Sequence, residues 1–295
     1  MKTFLLSIAC IIILSSCNTP APKEDASGKK VKSAWSLTEV WKTDTLLTTC
    51  ESVLYNESRD LLFVSCINGA PAEKNGLGFI SVLKADGEVL SLDWVTGLNA
   101  PKGMGVRGNT LYVADIDQLV IINIEKAEVL EKITIEGASF LNDVALSADG
   151  KVYFTDSDTG IIWIYDGTQA EAWITEGLDR PNGLCVEKNR VLLTSSGSSD
   201  LKLIDKSTGN FESVTGEIGH GDGLEFTGKD GHYLASSWSG EIFIIFPDYS
   251  KTSLLKTSSQ EINSADIGFN EAEQVVYVPT FFDNRVVAYK LAKTE

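Results

Sequence analysis

The sequence predicts an all-β chain folded as a six-bladed β-propeller. Three observations carry that reading. A short motif recurs at a fixed period, every copy is followed by the same run of short strands, and one unpaired strand precedes the first unit. The copies are Pro101-Lys102-Gly103-Met104, Leu141-Asn142-Asp143-Val144, Pro181-Asn182-Gly183-Leu184, Gly221-Asp222-Gly223-Leu224 and Ala265-Asp266-Ile267-Gly268. Their second residues stand at 102, 142, 182 and 222, in steps of 40, and the last follows 44 later at 266. Four strands in roughly 40 residues is the period of a propeller blade.

The grammar inside each unit supports this. An apolar inner strand leads to a turn such as Ser147-Ala148-Asp149-Gly150 or Gly228-Lys229-Asp230-Gly231. A β-branched and aromatic strand follows, as in Leu111-Tyr112-Val113 or Val152-Tyr153-Phe154. Next come a polar loop, an alternating strand such as Ile161 to Tyr165, and a more polar fourth strand such as Ile133-Thr134-Ile135. The first unit begins at Glu51 and is longer, with Asn68 to Gly78 as a loop over one face. The sixth unit has only three strands of its own, ending at Val286 to Tyr289. Leu37 to Trp41 has no unit to join, so it is expected to pair as the outer strand of the last blade. That closes the ring and removes an exposed edge.

The chain has 295 residues. Its first seventeen have a different character. Lys2 precedes an apolar run from Phe4 to Leu14, interrupted only by Ser7 and too short to span a bilayer, which reads as a signal peptide. It ends in Leu14-Ser15-Ser16-Cys17, which resembles a bacterial lipobox. Residues 1–17 are therefore expected to be a lipoprotein signal with Cys17 as the lipidated residue. Residues 18–34 form a polar tether and 35–295 the propeller.

The formal net charge of −16 argues against nucleic acid and against docking on anionic lipid. The expectation is a monomer in the bacterial cell envelope. It would meet the membrane through its lipid alone, bind no nucleic acid and act on a small-molecule substrate. Cys50 and Cys66 flank a hairpin. If Tyr55 faces Leu61, the two cysteines lie opposite each other, either as a disulfide or as two small buried residues.

In a propeller, equivalent positions at the start of the innermost strands form a ring round one mouth of the central channel. That ring reads Glu51, Lys102, Asn142, Asn182, Asp222 and Asp266. Glu51, Asn142, Asn182 and Asp222 supply side-chain oxygens suited to a hard cation such as calcium, and the two carboxylates balance its charge. Taken singly, Asn182-Gly183 and Asp222-Gly223 are also ordinary turn dipeptides. With two histidines and no Cys cluster, a zinc site is not expected.

These positions, with the stretches Ser139 to Leu146 and Val152 to Ser157, resemble the six-bladed calcium-dependent hydrolases of the senescence marker protein, gluconolactonase and paraoxonase superfamily. The resemblance implies calcium held by Glu51, Asn142, Asn182 and Asp222, with hydrolysis of a lactone or ester. It also implies Asp222 as the base. Lys102 stands near where paraoxonase-like enzymes carry a histidine. It either orients a substrate carboxylate or points away. His220, two residues before Asp222, is either a general base or substrate contact, or merely exposed. Asp115 and Asp156 end second strands and either support the ligands or cap turns. The competing reading is a binding propeller without catalysis.

Overall fold

The computed structural model describes residues 34–228 and 230–294. Residues 1–33, where the signal peptide, lipidated Cys17 and tether are expected, lie outside the described residues. Trp35–Thr294 forms one compact unit.

The unit is a six-bladed propeller of four-stranded antiparallel sheets. Blade one is β2 (Cys50–Asn56), β3 (Leu61–Cys66), β4 (Gly78–Lys84) and β5 (Val89–Leu98). Blade two is β6 (Pro101–Arg107), β7 (Thr110–Asp115), β8 (Gln118–Asn123) and β9 (Glu128–Thr134). Blade three is β10 (Leu141–Leu146), β11 (Val152–Asp156), β12 (Ile161–Tyr165) and β13 (Ala170–Ile174). Blade four is β14 (Pro181–Val186), β15 (Arg190–Ser195), β16 (Leu201–Asp205) and β17 (Phe211–Thr215). Blade five is β18 (Gly221–Phe226), β19 (Tyr233–Ser237), β20 (Glu241–Ile245) and β21 (Lys251–Lys256). In blade six, β22 (Gly268–Asn270), β23 (Val275–Pro279) and β24 (Val286–Thr294) are joined on the outside by β1 (Ala34–Lys42). The N-terminal strand thus closes the ring, as the unpaired Leu37–Trp41 segment implied.

Burial explains the strand composition. The middle strands of a blade are covered by a neighbouring blade on each face, so every residue of β11 is buried, polar Thr155 and Asp156 included. The outermost β9 has only exposed and half-buried residues. Between blades one and two, Phe63, Ile80, Leu111, Val113 and Ile122 share one apolar cluster. Each such fully buried side chain contributes about 1.5–3 kcal/mol.

One irregularity recurs at the channel mouth. The inner strands of blades two to five skip register between Pro101 and Met104, Leu141 and Val144, Pro181 and Leu184, and Gly221 and Leu224. Blade one skips between Cys50 and Ser52. A bulge leaves extra residues out of the ladder and increases the local twist. Here those residues are the ring position and the one after it. Asn182-Gly183 and Asp222-Gly223 therefore sit inside inner strands and form no turn. The glycines serve close approach instead. A Cβ on Gly183 would stand 2.0 Å from the Asp222 carbonyl oxygen, and one on Gly223 would stand 2.5 Å from the Ile267 nitrogen.

Two registers differ from expectation. In blade six, the Ala265 carbonyl accepts from Ser236 of blade five as the Asn182 and Asp222 carbonyls accept from Thr155 and Thr194, so Ala265 rather than Asp266 stands at the ring level. Asp266 lies one residue deeper, where its carboxylate accepts from the Ser52 hydroxyl at 2.6 Å. In blade one, Tyr55 faces Leu62 rather than Leu61, yet Cys50 does face Cys66, because the bulge at Glu51 restores the count. Both thiols are free and buried. The Cys50 Sγ donates to the Arg285 carbonyl at 3.1 Å, and burial pushes its pKa up to about 12.

Candidate metal centre and its pocket

The ring residues enter the channel at the bulges, and Glu51, Lys102, Asn142, Asn182 and Asp222 all line one cavity of about 460 Å³ at the mouth. All five are buried. His220 lines the same cavity. Its side chain is exposed, and its carbonyl accepts from the Trp238 N–H at 2.8 Å.

Four of the five present side-chain oxygens, the carboxylates of Glu51 and Asp222 and the amides of Asn142 and Asn182. Glu51 Oε2, Asn182 Oδ1 and Asp222 Oδ1 are buried with no hydrogen-bond partner. They account for three of the seven such side-chain atoms among the described residues. A buried oxygen without a donor is costly, about 1–3 kcal/mol or more for a charged group, so three converging on one cavity need a common partner. The Asn142 amide nitrogen donates to Ser157 Oγ at 3.0 Å, which commits that end of the amide and leaves its oxygen for the channel. The Asn182 amide donates to the Asp222 carboxylate.

The electrostatics agree. Burial, then the nearby Asp143 carboxylate, pushes Asp222 up to about 8, against the pull of the Asn182 amide. Burial and Asp222 push Glu51 well above the carboxylate range, with Lys102 opposing. Two carboxylates and two amide oxygens form an all-oxygen set that fits a hard divalent cation such as calcium. Among the described residues no three His, Cys, Asp or Glu side chains gather as a metal cluster, so the fit rests on the mixed carboxylate and amide donors.

Lys102 is held in place. Its ammonium donates to the carbonyls of Pro71 and Ala100, both at 2.9 Å, and lies 4.3 Å from the Phe140 ring centroid. Burial lowers its pKa to about 8, with Glu51 pulling the other way. Two of its three hydrogens are committed, leaving one for the cavity.

Asp115 and Asp156 act on backbone. Asp115 accepts from the N–H groups of Asn99 and Ala100, at 2.7–3.1 Å. Asp156 accepts from Ser139 at 2.8 Å and Phe140 at 3.1 Å. Each carboxylate thus fixes the segment leading into a ring residue, Lys102 and Asn142 respectively, rather than touching the ring side chain.

Several residues not read as site residues from the sequence complete the site. Ser157 grips Asn142 and donates onward to the Pro181 carbonyl at 2.7 Å. Asp143 carries a second buried carboxylate one step below the ring, accepting from Val144 N–H at 2.6 Å and Leu184 N–H at 2.5 Å. Burial raises it to about 6. Arg180, Trp238, Phe281 and Phe282 line the cavity. The Phe281-Phe282 pair in the otherwise polar stretch Thr280 to Arg285 was the one available signal.

No family model matches the chain, and no curated protein matches it. Solved structures do. A catalytically inactive virginiamycin B lyase from Staphylococcus aureus with quinupristin aligns at 12% identity and TM-score 0.61, covering 88% of this chain and 100% of that one. A streptogramin B lyase aligns at 12% identity and TM-score 0.62, covering 88% of this chain and 98% of that one. At this identity the likeness is one of fold.

Proposed function

We propose that the chain is a calcium-dependent hydrolase of lactone or ester type, related to the gluconolactonase and paraoxonase superfamily and carried on the bacterial cell envelope by lipid on Cys17. The observation that carries the reading is the set of unpartnered buried oxygens of Glu51, Asn182 and Asp222, converging with Asn142 on an accessible cavity.

A divalent cation held by these four residues would supply Lewis-acid polarisation of a substrate carbonyl. The chain's own residues do the rest. Asp222, ionised when its charge is matched, accepts a proton from an attacking water, and His220 on the same wall is the alternative acceptor. Lys102 offers its remaining N–H to a substrate oxygen. Glu51, Asn142 and Asn182 would complete the oxygen set that holds the cation.

One observation favours a second reading, a binding propeller without turnover. Lys102 places a fixed ammonium at the ring position of blade two, where a catalytic base has no room. The two readings share one test. The domain from residue 33 onward is stripped with chelator, titrated with calcium while its melting temperature is followed, and then offered lactones and esters. A ligand bound only by the folded state adds about 2.7 kcal/mol at a hundredfold excess over its Kd. A rise that Glu51→Gln and Asp222→Asn abolish, with turnover that Asn142→Ala removes, supports the hydrolase. A rise without turnover leaves a binding propeller with a structural metal, and no rise with any divalent ion removes the hydrolase reading and leaves a binding propeller with a vestigial ring.

A further inference from the structure

The cavity above the ring is lined by charged and aromatic side chains. Lys102 lies against Phe140, and Arg180 is paired with Asp158 at 2.7 Å, while Trp238, Phe281 and Phe282 from blades five and six form a continuous aromatic group. The three rings meet edge to face. Their centroids lie 4.7 Å apart for Phe281 and Phe282, 5.5 Å for Trp238 and Phe281, and 6.1 Å for Trp238 and Phe282.

Phe281 has φ of 52°, a conformation bulky L residues avoid. Such strain persists only where the surroundings fix it, and it gathers at functional sites. Here the Phe281 carbonyl accepts from Asn284 N–H at 3.2 Å, Phe281 bridges to Cys50, and Asn284 Oδ1 accepts from Thr49 N–H at 2.7 Å. The result is that Phe281 is buried beneath Trp238 while the next residue, Phe282, is 62% exposed and still lines the cavity. Core packing accounts for Phe281. It does not account for an exposed ring lining the same cavity as Glu51, Asn142, Asn182 and Asp222, and an exposed apolar surface in a concave site marks ligand contact.

We propose that Trp238, Phe281 and Phe282 form a subsite for a planar aromatic substituent of the substrate. The class taken is then an aryl-substituted lactone or ester rather than a polyhydroxylated one. The proposal rests on the hydrolase reading above. The wall offers two phenyl rings and one indole, with a single N–H donor among them. A sugar lactone laid there gives up water from several hydroxyls without partners. An aryl group gains buried area and edge-to-face contacts.

The test compares kcat/KM of the calcium-loaded protein for γ-phenyl-γ-butyrolactone and for δ-gluconolactone. The expected preference for the phenyl lactone is about tenfold or more, and Phe282→Ala lowers that ratio about tenfold through KM. Leu130→Ala, an exposed residue on the outermost strand of blade two, leaves the ratio as it is. Equal use of both lactones, or a ratio unmoved by Phe282→Ala, overturns the subsite. If neither lactone is turned over, the hydrolase reading falls and calorimetric binding decides the subsite alone. Binding of the phenyl lactone that Phe282→Ala weakens about tenfold upholds it, and no binding overturns it.

Discussion

The hydroxyl of Thr155 on blade three donates to the main-chain carbonyl of Asn182 on blade four, 3.0 Å away. The same hydroxyl accepts from the Asp143 N–H of its own blade at 3.0 Å. The arrangement repeats around the channel. Thr194 donates to the Asp222 carbonyl at 2.5 Å, and Ser236 accepts from Gly223 N–H at 2.8 Å and donates to the Ala265 carbonyl at 2.7 Å. Ser65 accepts from Ser52 N–H at 3.0 Å in blade one. The bulges free these backbone groups from the ladder, and in blades three, four and five one hydroxyl reaches across to the next blade. The backbone positions of Asn182, Asp222 and Ala265 are thus set by the preceding blade, whereas blade two carries Ala114 at the equivalent place and has no such clasp.

Thr155→Val removes that hydroxyl at nearly constant volume. It strands the Asp143 N–H and the Asn182 carbonyl, at about 1–3 kcal/mol for each buried group left unpaired. A loss of about 2–4 kcal/mol is expected, read as a melting temperature about 5–15 °C lower for a domain of this size. Thr155→Ser retains most of the stability. Because Asn182 is displaced, the rise on adding calcium shrinks in the valine variant as well. An unchanged melting temperature would show that the clasp carries no stability.

The blade period and the ring positions of the first five blades were legible because each inner strand repeats the same spacing and places a polar residue at the same step. Blade six was misread for a physical reason. The extra residues between Lys256 and Gly268, including a short 3-10 turn at Ser258–Gln260, shift the count, and Asp266 repeats the polar character of the other ring positions while Ala265 does not. The Tyr55 register slipped for a similar cause, since a bulge of one residue at Glu51 leaves no mark in composition. The clasp hydroxyls of Thr155, Thr194 and Ser236 were hidden because a lone hydroxyl in an apolar strand has no period of its own. Trp238 and Phe282 were hidden because their role depends on loops from two blades meeting over the channel.

The acids at the ring give the metal-free protein a pH dependence. Asp222 keeps its proton to about pH 8 in the fold, against 3.8 for the free group. Between those values the native chain holds a proton that the unfolded chain has released. The associated stability is fully present below about pH 4 and is lost as pH rises toward 8. Glu51 shifts in the same direction. A bound divalent cation favours the ionised carboxylates and reverses the trend. In chelator, the melting temperature should fall from about pH 5 to about pH 8.5, and Asp222→Asn should flatten much of the fall. Calcium should raise it most at the alkaline end. A chelated profile that the Asp222→Asn substitution leaves unaltered would contradict this assignment.

Trp41 is one of several side chains that cross the seam between blades six and one. Trp41 on β1 of blade six donates its Nε1–H to the Ala85 carbonyl of blade one at 3.1 Å, and its ring lies 5.8 Å from that of Tyr277. Gly87 makes room for it, since a Cβ there would come within 2.7 Å of the indole. One residue beyond the strand, Thr43 and Val286 exchange two hydrogen bonds, at 3.0 and 3.1 Å. Truncation of a fully buried Trp costs about 3–5 kcal/mol, and Trp41 is only half-buried, so Trp41→Ala is expected to cost about 2–3 kcal/mol. Trp41→Phe keeps the ring contact and loses the hydrogen bond, at about 1 kcal/mol. Release of β1 would bare the edge of β24, and bare edges pair with other chains. Light scattering during thermal melts should therefore rise earlier in Trp41→Ala than in Trp41→Phe. If both variants melt and scatter like the parent, β1 is held by its backbone ladder alone and the indole is no latch.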